Sequence, residues 1–168
     1  MIETTPTTYG GYVVQEMDAP VKYFVGIREK INMSEMTSER FGQFLPKVFA
    51  AVKAAKVEVD GPPCGLFFLW DEANQQVELA YAVSLKAKAS VPGLTTFEVP
   101  AGQRLLVDYY GPYAGTGAAH AAMDEYVKVH QLEGGIPVWE EYVTDPMAEP
   151  DTAKWLTKVW YPVRKKTL

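Results

Sequence analysis

The chain has 168 residues, with 16 Lys plus Arg against 21 Asp plus Glu and a formal charge of −5. This length suits one domain with a sizeable core, and this balance argues against nucleic acid or an anionic membrane as the main partner, since both require clustered positive charge. With 48% hydrophobic and 22% charged residues, no apolar run of membrane-spanning length and no secretory pattern in MIETTPTTYGG, the expectation is a folded, soluble, cytoplasmic protein.

Tyr12–Met17 and Val21–Arg28 are β-branched and aromatic, and read as strands around the turn-like Asp18-Ala19-Pro20. A helix is predicted over 34–56, with Ser34 or Thr37 as N-cap. Its positions Phe41, Leu45, Val48, Val52 and Ala55 recur at three- and four-residue spacing, and Pro46 is expected to kink or split it. Leu66–Trp70 and Val77–Leu85 form a predicted hairpin, the second strand alternating cleanly from Val77 to Leu85. Residues 86–95 read as a linker. Strands at Phe97–Val99 and Arg104–Tyr110, a helix over 116–132 ending at Gly134-Gly135, and strands near Val138–Val143 and Lys158–Val163 then repeat the order of the first half. The expected fold class is α+β: tandem βαββ-type repeats (10–85 and 96–164) within one domain over 1–168. Two antiparallel sheets are expected to enclose a ligand cleft about a pseudo-twofold axis.

Two histidines and one cysteine are too few for a structural zinc site, and no metal or cofactor is expected. His120 and His130 fall ten residues apart on one predicted helix and read as surface histidines. Cys64, between Pro63 and Gly65, reads as a buried inert thiol, because no base accompanies it in sequence.

Four segments stand in order: Val99-Pro100-Ala101-Gly102, Gly111-Pro112-Tyr113 before a helix, Glu140-x-Tyr142-x-x-Asp145-Pro146, and Tyr161-Pro162-Val163. Together they resemble the GyrI-like small-molecule-binding family, whose domain also serves as the effector module of AraC- and MerR-type regulators. The resemblance implies an aromatic-lined pocket with the glutamate of Glu-x-Tyr inside it, which is Glu140 here. No helix-turn-helix pattern accompanies the domain, so direct nucleic-acid binding is not expected, and any protein partner is unspecified.

Strand alternation places Glu140 and Tyr142 on one face, with Trp139 and Glu141 on the other. A carboxylate among rings suits a bulky cation, by charge and by attraction to ring faces. The chain is rich in aromatics, with 10 Tyr, 7 Phe and 4 Trp. Of these, Tyr110, Tyr113, Phe68, Trp70 and Trp160 are assigned as further pocket walls, with Phe68 and Trp70 on a common face. The expected function is binding of small hydrophobic, cationic or aromatic molecules. The alternative is hydrolysis of cyclopropane-bearing genotoxins, with Glu140 as catalytic general base, as the resemblance allows. Haem binding, as in the related SOUL-type fold, is a weaker third reading that would need His120 or His130.

Overall fold

A computed structural model describes residues 7–167. The first six residues of the segment read for a secretory signal lie outside the described residues. Two short strands, β1 (Thr8–Tyr9) and β2 (Tyr12–Val13), form a ribbon against the second helix. There follow β3 (Gln15–Ala19), β4 (Lys22–Asn32), α1 (Ser38–Ala54), β5 (Val59–Asp71) and β6 (Gln76–Leu85). The second half holds β7 (Thr95–Val99), β8 (Gly102–Tyr110), α2 (Thr116–Val129), β9 (Leu132–Gly134), β10 (Val138–Tyr142) and β11 (Leu156–Lys165). No described helix is long and apolar enough to cross a membrane.

The α+β class holds, but the expected pair of sheets does not. The halves meet edge to edge through β5 and β10 and make one antiparallel sheet, in the order β3-β8-β11-β10-β5-β6-β4-β7, with β9 added on β11. The edge strands are exchanged: β3 pairs with β8, while β7 pairs with β4. Pro20 helps explain why β3 does not fold back on β4. It lacks an N–H, holds Ala19 extended, and its carbonyl accepts from Arg104 Nη2 at 2.6 Å.

Helix α1 begins at Ser38, where the Thr37 hydroxyl accepts from the Arg40 N–H at 3.2 Å, and it continues through Pro46 as one element. Its Val48 and Val52 are buried with Val25, Val83 and Leu85. Helix α2 buries Ala119 and Met123 with Leu105, Val107, Val159 and Tyr161. It ends at Val129 rather than at 132, because Gln131 takes a left-handed backbone (φ 54°) and the chain becomes strand β9. Both helices cover the same side of the sheet, α1 over β4 and β6, α2 over β8, β9 and β11. The central strands β5 and β10 lie between them.

Candidate functional site

Strand β10 places its residues alternately on the two sides of the sheet. Through the pairings Val107–Val159–Glu140–Gly65–Tyr81, Glu140 stands in a cross-strand row on the helix-covered side. Its neighbour in β5 is Gly65, and the missing side chain makes room. A Cβ there would stand 2.7 Å from the Tyr142 hydroxyl and 3.2 Å from Phe41 Cε1.

Glu140 is only 6% exposed, and both of its oxygens are engaged. The Tyr142 hydroxyl donates to Oε1 at 3.0 Å, and His120 Nε2 donates to Oε2 at 2.7 Å. An ionised carboxylate only accepts, which assigns the hydrogen on that contact to Nε2. The other imidazole nitrogen, Nδ1, lies 3.0 Å from the Tyr161 hydroxyl. A continuous polar chain thus runs Tyr161–His120–Glu140–Tyr142, linking β11, α2 and β10.

Aromatic rings close around it. Phe41 of α1 meets Tyr142 and Tyr81 edge-on at 5.6 and 4.8 Å between centroids, and Tyr113, just before α2, meets Tyr142 edge-on at 5.3 Å. Trp155 lies beyond Tyr113 at 5.0 Å, and Phe67 stands edge-on to His120 at 6.5 Å. Burial, the charge of Glu140 and the bond to it push the Tyr142 phenol well above its ordinary pKa. Tyr161 is raised by burial and by the charge of Asp124, and Tyr113 by burial and by the charge of Asp145.

Of the sequence-assigned residues, Glu140, Tyr142 and Tyr113 come together. The others do not. Tyr110 is 62% exposed and lies on the opposite side of β8 from the buried Tyr109. Trp160 lies on the opposite side of the sheet, stacked on Trp139 at 5.9 Å, and its indole N–H donates to Glu141. Phe68 packs on that side too, against Phe97 and beneath Arg28, while Trp70 is exposed and touches Phe67. A bulge between Phe67 and Leu69 breaks the alternation that was to put Phe68 and Trp70 on one face.

His120 is the residue the sequence reading passed over as surface. Its signal was its place three residues before Met123, on the flank of the buried helix face. His130, at the end of α2, instead meets the Tyr9 hydroxyl at 3.0 Å and stacks on Tyr126. Among the described residues no His, Cys, Asp and Glu cluster suits a metal ion. Surface grooves of 350 and 260 Å³ adjoin His130 and Tyr9, away from Glu140.

Residues 14–164 match the GyrI-like small molecule binding domain. The chain belongs to that family. As a GyrI-like domain it is similar in fold to the C-terminal domain of EcmrR, at 15% identity and a TM-score of 0.77, covering 92% of this chain and 99% of that one. It spans 58% of the EcmrR chain seen in a complex with DNA. A hydrolase from Listeria innocua is similar at 12% identity and a TM-score of 0.57, covering 95% and 94% of the two chains. SAV2435 bound to tetraphenylphosphonium is similar at 16% identity and a TM-score of 0.58, covering 90% and 93%. No curated protein matches this chain in sequence.

Proposed function

We propose that this GyrI-like domain binds small hydrophobic, cationic aromatic molecules, with Glu140 as the electrostatic centre. The observation that carries the reading is a nearly buried carboxylate, ringed by Tyr142, Tyr113 and Phe41, with no Lys or Arg paired to it among the described residues. A buried carboxylate favours a desolvated cation, and ring faces add attraction for such a charge. Entry requires the aromatic cover to move, since Glu140 is nearly buried and both of its oxygens are already bonded. Phe41 and Tyr113 sit at the starts of α1 and α2, so small shifts of the two helix ends open the site from the side. The fold shared with SAV2435 makes tetraphenylphosphonium a suitable probe.

Calorimetric titration tests the reading. Glu140→Gln is expected to weaken tetraphenylphosphonium by about 1.5–3 kcal/mol, the range for hydrogen-bonded charged groups, and to leave the neutral triphenylphosphine oxide nearly unchanged. Equal binding of the cation by Glu140→Gln and the unaltered protein would remove Glu140 as its anchor.

One contact favours a second reading. The Tyr142 hydroxyl on Glu140 Oε1 is the acid-and-phenol pair that hydrolysis of a cyclopropane-bearing electrophile needs. Glu140 would take a proton from water as the water oxygen attacks a ring carbon, the strained C–C bond would break, and the phenol would protonate the carbon released. Mass spectrometry after incubation with such a compound detects the added water, and Glu140→Gln would abolish it.

A further inference from the structure

We propose that His120 is the internal counter-ion of Glu140, and that a cationic ligand enters by exchanging for the proton His120 carries. This inference rests on Glu140 as the cation anchor and adds what happens to charge when the site fills.

Three observations carry it. Glu140 is 6% exposed, and its ion-pair partner among the described residues is His120, at 2.7 Å. A buried carboxylate without a compensating charge is unfavourable, so the empty site favours the imidazolium form. His120 is also furnished for both of its protonation states. As neutral imidazole, Nδ1 accepts from the Tyr161 hydroxyl at 3.0 Å; as imidazolium, Nδ1 donates to that oxygen, and the Tyr161 hydroxyl turns toward the main-chain carbonyl of His120 at 3.4 Å. Finally, the imidazole is 23% exposed against 8% for the Glu140 side chain, so the proton has a route to solvent that the carboxylate lacks.

The groups facing His120 are Glu140 from β10, Tyr161 from β11, the uncharged Phe67 from β5 and, through Tyr161, Asp124 one turn along α2. None is a second cation. A permanent cation lodged against Glu140 therefore meets one positive charge, that of His120, and expels its proton. Linkage makes the exchange reciprocal: acid weakens the cation, and the cation drives His120 to its neutral form.

The test is titration with tetraphenylphosphonium from pH 5.5 to 8.5 in two buffers of different ionisation enthalpy, for the unaltered protein, His120→Gln and Glu140→Gln. In the unaltered protein affinity is expected to fall toward tenfold per pH unit where His120 carries its proton in the empty site, and to level off at higher pH. Up to one proton should be released per cation. His120→Gln, whatever its absolute affinity, is expected to lose both the slope and the proton release. Should that variant misfold, proton NMR of the unaltered protein at pH 6 gives the same answer. The His120 ring resonances should move from imidazolium to imidazole positions on adding the cation, while those of His130 stay.

A flat pH profile with binding still lost in Glu140→Gln would overturn the exchange and leave the anchor standing. So would a slope that survives in His120→Gln, or His120 resonances that do not move. No binding of the cation at any pH, or binding unchanged in Glu140→Gln, would overturn the anchor itself and the exchange with it.

Discussion

The two sides of strand β10 set neighbouring glutamates in opposite circumstances. Glu140 faces the helices and accepts from groups that gain or lose protons, His120 and Tyr142. Glu141 faces the other side and accepts from the Trp160 indole, which does neither. Around Glu141 lies a packed aliphatic and aromatic layer centred on Trp139, with Leu66, Phe24 and Phe97. Around Glu140 lie rings that belong to three separate elements, α1, β10 and the turn before α2. The contrast teaches that a carboxylate's surroundings here are decided by the chemistry of what faces it, more than by its place in the chain.

The largest expected effect tests the packed side. Trp139→Ala removes a fully buried indole stacked on Trp160 and is expected to cost about 3–5 kcal/mol in urea unfolding. A loss below about 1 kcal/mol would mean that this layer is not the stabilising one. Next comes the direct comparison of the two acids. Glu140→Gln should weaken tetraphenylphosphonium by about 1.5–3 kcal/mol, and Glu141→Gln should change it less than about 0.5 kcal/mol. Equal effects would erase the distinction between the faces.

Gly65→Ala probes the space beneath the site. The added methyl pushes on the Tyr142 hydroxyl and Phe41, so we expect about 1–2 kcal/mol of destabilisation in the same unfolding assay, together with weaker cation binding. On the helix side, alkaline titration probes the buried tyrosines. Tyr142 and Tyr161 keep their protons in the folded chain above the ordinary tyrosine value of 10.0. Their contribution is complete below that value and is lost as pH rises from it toward the folded values. The unfolding free energy should then fall by up to about 1.4 kcal/mol per pH unit for each of the two, and Tyr142→Phe should remove its share.

Much of this arrangement was legible in the residues. Period-two alternation alone put Glu140 with Tyr142 and Trp139 with Glu141, and the Gly-Pro-Tyr segment marked the turn that brings Tyr113 to the site. What escaped depended on geometry that local pattern does not encode. A bulge after Phe67 sent Phe68 and Trp70 to different surroundings. Tyr110 was assigned to the pocket, yet the site lies on the helix-covered side of the sheet, and Tyr110 stands on the other side of β8 from the buried Tyr109. His120 sits at the margin of an amphipathic face, where a polar residue reads as solvated until a strand places a carboxylate 2.7 Å away. Strand partners were the least legible of all, because β3 and β7 each cross to the other half.

That crossing ties the halves together like clasped hands. A cut between β6 and β7, in residues 86–94, would leave the first fragment carrying β3 without its partner β8 and the second carrying β7 without its partner β4. Each piece would then offer a bare strand edge shaped for the other, and neither would hold its own. Co-expressed fragments should reassemble into one particle, whereas either alone should aggregate or pair with a copy of itself. Since Glu140 lies in the second fragment and Gly65 and Phe41 in the first, cation binding would report the moment of reunion.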